Sequence, residues 1–464
     1  MSESQYLYMT LTKAADLIKS GEISPVDLTQ FSLDRIDSID KDLNSFITVC
    51  HQHAISAAKK AEDEITSGTY RGPMHGIPYA VKDIYMTKGI KTTSGSKVFS
   101  NYVPDHNCTA VDNLSQAGGI LVGKNNCFEF ASGGDDSSLV GPCHNPWKWG
   151  YTPGGSSSGS GASVAAGLVF GSMGSCTGGS IRGPASHCSI VGLKPTYGLV
   201  SRSGVFPLSW SIDHAGPMTR TVSDCALMLQ SVAGYDSKDP SSVNIPYTDY
   251  YSKLTGKING LRVGVLREFF DQMPSAVIAP ITNALKVLEK LGASIEEINA
   301  PLTASYSTTA GNLITWSEAA QIHNPWLQEI DNYSVGVREK VMVGLVIPSD
   351  QYHKAQQMRR LVQQELEQIL TKVDVIAGHV TNPPGPLQIG DKQGTATGMA
   401  TELSGTRLYN LTGLPAVSVP CGFSEDGLPV GFQIAGQAFA DSTVLNVAFA
   451  YEQATKWHTM HPEI

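Results

Sequence analysis

The stretch that decides the fold class is Leu261-Arg262-Val263-Gly264-Val265-Leu266, then Ile278–Leu291, then Ala293-Ser294-Ile295-Glu296-Glu297-Ile298. Two short apolar runs bracket a longer segment with apolar residues at helical spacing, so the unit reads strand, helix, strand. Toward the C-terminus the alternation continues. A long helix over Gln351–Leu370 precedes a strand at Val373–Ala377. The pattern breaks at Pro383-Pro384-Gly385-Pro386. Adjacent strands Leu414–Pro420 and Pro429–Ile434 follow, joined through Ser424-Glu425-Asp426-Gly427, and Asp441–Thr455 is a final helix. Toward the N-terminus lie a helix over Thr221–Val232, a strand and turn over Ile190–Val200, a helix and buried strand within 109–123, and a short strand Ile77–Val81 ending at Lys82. Residues 10–40 carry two helices, the second opened by an N-cap, first-turn proline and acidic residue in Ser24-Pro25-Val26-Asp27.

This alternation predicts an α/β fold: a single large domain with a mixed twisted β-sheet core flanked by α-helices. Within 1–464 the expected parts are an N-terminal helical layer (1–70), a core (71–232), a substrate-pocket elaboration (235–400) and a C-terminal return to the core (401–464).

The 464 residues, 41% hydrophobic and 16% charged, suit a globular chain with a large core. Its 33 basic and 42 acidic residues give a formal charge of −9 without a basic block, so no nucleic-acid partner is expected. No apolar run approaches the roughly 18 residues of a membrane span, and Met1-Ser2-Glu3-Ser4-Gln5 lacks the pattern of a signal peptide, so no membrane partner is expected. The eight cysteines form no CxxC pair and the twelve histidines no HExxH, which points to reduced thiols, a cytoplasmic location, and neither metal nor cofactor. Gly118–Asn125 nearly matches a phosphate loop, but it ends in Asn and holds its strand inside the motif, so it is set aside.

Chemistry concentrates between Thr152 and Arg182. Two Gly/Ser loops, Thr152–Gly161 and Gly174–Arg182, enclose the small-residue apolar run Ala162–Phe170. A linker has no need of such a run, so both loops are expected to face one cavity. Consecutive amides in Thr177-Gly178-Gly179-Ser180 can converge on a developing oxyanion, or the segment is a tight turn. A serine nucleophile needs a base, and a lysine serves once burial lowers its pKa from about 10.4 toward about 7–8. Lys82, taken alone, reads as a snorkelling surface residue.

Several segments in order carry a resemblance: Gly76-Ile77-Pro78 with Val81-Lys82-Asp83, Gly123-Lys124 with Asn126, Asn145-Pro146-Trp147, Pro153-Gly154-Gly155-Ser156-Ser157, Gly174-Ser175 with Thr177-Gly178-Gly179-Ser180-Ile181-Arg182, Gly192-Leu193-Lys194-Pro195-Thr196-Tyr197-Gly198, and Asn410-Leu411-Thr412-Gly413-Leu414-Pro415. Together they resemble the amidase signature family over nearly the whole chain, least over 235–400. The resemblance implies a Ser–cis-Ser–Lys triad, with Ser180 as nucleophile, Ser156 as the bridging serine after a cis peptide, and Lys82 as base. It places the oxyanion hole at the amides of Thr177, Gly178, Gly179 and Ser180, and the acyl pocket near Ala131 and Ser132. Arg182 is expected to anchor loops rather than a substrate acid, and Asp83 to form a surface or structural ion pair.

The implied activity is hydrolysis of a small or aryl carboxamide, with ester, anilide or carbamate bonds open to the same chemistry. A small-molecule amide is the expected ligand, and a homodimer a possible assembly. One departure stands out: the family has aspartate where this chain has Cys176. The expectations are a tolerated small buried residue, or a reshaped oxyanion loop with altered preference. The alternatives are the A-type component of a glutamyl-tRNA amidotransferase, an α/β-hydrolase-type esterase using Ser157 in Gly155-Ser156-Ser157-Ser158-Gly159, and a binding protein that lost catalysis.

Overall fold

The computed structural model describes residues 3–132, 137–387 and 405–464. Eleven strands form one sheet: β1 Phe46–Val49, β2 Pro78–Lys82, β3 Ile120–Asn125, β4 Gly171–Cys176, β5 Val191–Lys194, β6 His214–Thr219, β7 Arg262–Leu266, β8 Ser294–Ile298, β9 Val375–His379, β10 Ala416–Phe423 and β11 Pro429–Gly436. Their spatial order is β1-β3-β2-β4-β6-β5-β10-β11-β9-β7-β8. The sheet is mixed. β2 runs parallel to β3 and β4, and β7 parallel to β8 and β9, whereas β6, β5, β10 and β11 pair antiparallel. The expected α/β fold with a large mixed sheet flanked by helices is the fold observed.

Helices cover both faces, and β2 shows how the sequence divides between them. Side chains alternate across a strand: Tyr79 and Val81 enter a cluster with Val222, Leu229 and Val444, while Ala80 enters a second with Ala162, Ala165 and Ala185. At the N-terminus, Ser24 Oγ accepts from the amides of Val26 and Asp27 and starts the helix Pro25–Leu43, which ends at Asn44 in the left-handed region. The strand–helix–strand unit that set the fold class is β7, the helix Ser275–Lys290 and β8, with β7 and β8 paired in parallel.

The strands of the expected elaboration, β7 to β9, continue the same sheet as the core. Parts of that segment (388–400) and of the C-terminal return (401–404) lie outside the described residues. Among the described residues no helix is long and apolar enough to cross a membrane.

Candidate active site

Parallel pairing sets the site. β2 and β4 run side by side, with Val81 opposite Met173, so their C-terminal ends bring Lys82 beside Ser175. Lys82 is no snorkelling residue. It is fully buried, and Nζ donates to Ser156 Oγ at 2.7 Å and to Ser175 Oγ at 2.9 Å. Burial pulls its pKa from 10.5 to about 8, against the opposing influence of Cys127, Cys176 and Asp213. Asp83 is equally buried. Its carboxylate lies 3.5 Å from Lys124 Nζ and accepts from the amide and hydroxyl of Thr93.

Ser156 follows a cis Gly155–Ser156 peptide, and its carbonyl accepts from the Phe128 amide at 3.1 Å. Glycine at 155 is a packing requirement: a Cβ there would stand 2.2 Å from the Phe128 ring. Ser157, the nucleophile of the elbow alternative, does not fit that role. No strand precedes it, it is fully buried, and its hydroxyl is tied to the Ser175 backbone, donating to the carbonyl and accepting from the amide.

Ser180 stands half-buried at the end of the second loop, just before the short helix Arg182–His187. Among the described residues its hydroxyl makes no hydrogen bond, and the amides of Thr177, Gly178, Gly179 and Ser180 donate to no acceptor. Gly179 holds φ +143°, a conformation that L side chains rarely adopt. Four unengaged amides beside one hydroxyl have the composition an oxyanion site requires.

Residues far along the chain fasten this loop. Asn410 Nδ2 donates to Cys176 O at 2.7 Å, Thr406 Oγ1 donates to Gly178 O at 2.7 Å, and Thr177 Oγ1 donates to Asp213 Oδ1 at 2.5 Å. Arg182 is fully buried and donates to Gln433 Oε1, Thr406 O and Asn410 Oδ1. Arg407 is packed against Gly178, where a Cβ would meet its Nη2 at 2.9 Å. Asp213, Thr406 and Gln433 join the site without having been singled out in the sequence. Ser175 and Asn410 stood out there only as parts of motifs.

A cavity of about 190 Å³ opens beside the loop, lined by Ala131, Ser175, Thr177, Phe206, Asp213 and His214 among others. Ala131 takes φ +57° on this cavity's wall, and Ser132 is buried next to it. Burial raises the Asp213 carboxyl above its ordinary range and, helped by Lys194 and Arg202, drives His214 well below its own, so that ring is neutral. Among the described residues no three His, Cys, Asp or Glu side chains converge as a metal site.

Comparison with known proteins gives the class, an amide-cleaving one. The family described as Amidase matches residues 27–445, and the chain belongs to that family. It is an enzyme acting on amide C–N bonds. The A subunit of the glutamyl-tRNA(Gln) amidotransferase of Geobacter metallireducens is 40% identical over 478 residues, covering 97% of this chain and 98% of that one. A solved structure described as the inhibitor-bound form of a vestigial protein complex, revealing the origins of an s-triazine catabolic enzyme, matches with TM-score 0.90 at 30% identity, covering 98% and 99%. The peptide amidase of Stenotrophomonas maltophilia matches with TM-score 0.86 at 28% identity, covering 98% of each chain.

These relatives correct one expectation. A small-molecule amide as the sole ligand, with no nucleic acid and at most a homodimer, does not stand beside full-length relatives named as one component of a glutamyl-tRNA(Gln) amidotransferase. The charge of −9 argues only against this chain gripping RNA alone, because the charge of one chain does not describe its partners.

Proposed function

We propose that the chain is the amide-cleaving component of an amidotransferase that serves glutamyl-tRNA, with Ser180 as nucleophile, Ser156 as proton relay and Lys82 as base. The observation that carries the chemistry is the buried Lys82 Nζ, 2.7 Å from Ser156 Oγ. With a pKa of about 8, a useful fraction of Lys82 is neutral near pH 7–8. Neutral Nζ takes the Ser156 proton as Ser156 takes that of Ser180, and Ser180 Oγ attacks the carboxamide carbon. The negative charge that develops on the carbonyl oxygen meets the amides of Thr177, Gly178, Gly179 and Ser180, which have no other acceptor to leave among the described residues. The relay then returns a proton to the departing nitrogen, which leaves as ammonia, and water resolves the ester on Ser180. Ester, anilide and carbamate carbonyls pass through the same kind of intermediate. None of the eight cysteines is joined in a disulfide, which supports a reducing, cytoplasmic setting.

The partnered reading draws its support from identity of 37–40% with amidotransferase relatives over almost the full length of both chains. A second reading, a stand-alone amidase of peptide or small carboxamides, is favoured by the fold match to peptide amidase. Purification of the tagged full chain from its own cells separates them. Copurifying partner chains, with ammonia release from L-glutamine that rises on adding glutamyl-tRNA, is the expected result. A chain that purifies alone and turns over simple amides without tRNA refutes the partnered reading and supports the second. Full activity in Ser180→Ala refutes the mechanism under either.

A further inference from the structure

Arg182 presents a charge problem. Its guanidinium is fully buried and cannot shed its proton in a protein. Its hydrogen-bond acceptors Gln433 Oε1 (2.6 Å), Thr406 O (2.9 Å) and Asn410 Oδ1 (2.5 Å) are all neutral, and among the described residues no carboxylate lies within 4.0 Å of it. A buried cation left without a counter-charge is strongly destabilising. The Tyr409 ring lies over the guanidinium, 5.9 Å from Cζ to its centroid, and carries no charge; the remaining contact is Cys176 Sγ, 3.6 Å from Nη2 and itself fully buried. The family resemblance puts an aspartate at this position.

We propose that Cys176 is a buried thiolate, the counter-anion of Arg182, and that this ion pair positions the loop bearing Ser180. Cys176 closes β4 and Arg182 opens the helix behind Ser180, so their pairing clamps both ends of the 177–181 turn. Burial works against an ionised thiol here, but Arg182, the Ile181 amide and Lys194 outweigh it and hold the thiol below its usual range. Lys194 has Asp441 beside it, so Arg182 remains the cation in need of an anion. The other groups facing the sulfur are Arg407 and Lys82, whose positive forms a thiolate favours, and the neutral ring of His214, reached through Asn410. Asn410 Oδ1, which accepts from Arg182, also lies 3.4 Å from Sγ and is the oxygen to which a neutral thiol donates. Cys176 is a positioning residue, distinct from the nucleophile.

The effect on turnover rests on the Ser180 reading, whereas the thiolate itself does not, and two readouts keep them apart. The first is the far-ultraviolet thiolate absorbance of the native full-length chain at pH 7, taken against urea-unfolded wild type and against Cys176→Ser. One thiolate per native chain is expected, falling on unfolding to about a quarter of one, the few per cent that each of eight ordinary thiols carries. A native chain without a thiolate at pH 7 overturns the proposal, and the wild-type unfolding difference decides even if Cys176→Ser fails to fold. The second is the pH profile of kcat/KM. Cys176→Asp, which keeps the anion, is expected to retain rate and midpoint, whereas Cys176→Ser loses about a hundredfold in kcat, the size of one misplaced oxyanion donor, and moves the Lys82 midpoint to lower pH. An unchanged midpoint and kcat in Cys176→Ser refutes the positioning role. Full activity in Ser180→Ala would remove the Ser180 reading and leave the absorbance result standing.

Discussion

Lys82 makes the rate of this enzyme a function of pH in a direction and size that can be worked out. Its side chain is fully buried, and its two hydrogen-bond partners are neutral hydroxyls rather than carboxylates. Burial therefore dominates and lowers the pKa from 10.5 to about 8. At 1.36 kcal/mol for each pH unit, that depression corresponds to about 3 kcal/mol of disfavour for the charged form. Only neutral Nζ can act as base, so kcat/KM should rise tenfold per pH unit up to an inflection near 8, and at pH 6 it should stand near 1% of its plateau, roughly. Initial rates of amine release from pH 6 to 9.5, with subsaturating amide, measure this for the free enzyme. The same shift affects stability. The unfolded lysine binds a proton up to pH 10.5 while the folded one loses it near 8, so between these values the unfolded state holds more protons and stability rises with pH. Below pH 8 that contribution is absent. A flat rate profile over this range would refute the reasoning, as would an inflection near 6.5, the mark of a histidine base, or one near 10.5, the mark of an exposed lysine.

Two further outcomes follow from contacts already described. Ser156→Ala breaks the hydroxyl link from Lys82 toward the second loop, and should lower kcat by about a thousandfold or more, with circular dichroism and melting temperature little changed; retention of a tenth of the activity would exclude Ser156 as the relay. Gly155→Ala forces a methyl to 2.2 Å from the Phe128 ring and should cost about 1–3 kcal/mol in urea unfolding, so an unaltered midpoint would show that the ring can give way freely.

Elements with a clear stripe or alternation were legible in the sequence. Ser24-Pro25-Val26-Asp27 marks the start of its helix to the residue, and Pro78–Lys82 shows its strand as an apolar run. β4 did not, because Gly171-Ser172-Met173-Gly174-Ser175-Cys176 has no apolar alternation and is buried at every position. The helix Ser158–Ala165 is likewise buried on all sides, and small residues all round leave no polar face to betray a period. The helices Pro301–His323 and Val335–Val346 were missed because their apolar residues are spread around the axis. In the candidate site, Lys82, Ser156 and Ser180 were named only through the family resemblance that the short motifs carry. The contributions of Ser175, Asp213, Thr406 and Gln433 were not legible, since each meets the site through sheet pairing or loop packing across the chain, and nothing local in their sequence records that neighbour. The burial of Lys82 followed only from its implied role as base, because a strand-ending lysine, taken alone, looks the same on a surface as beneath a loop.

The proposed reaction turns on a covalent bond at Ser180. Treatment of the full-length protein with a fluorophosphonate, followed by peptide mass spectrometry, tests it most directly. The prediction is a single phosphonyl adduct on Ser180, formed faster as pH rises through about 8 and abolished in Ser180→Ala and Lys82→Ala. An adduct on Ser157, or activity that survives in Ser180→Ala, would contradict it.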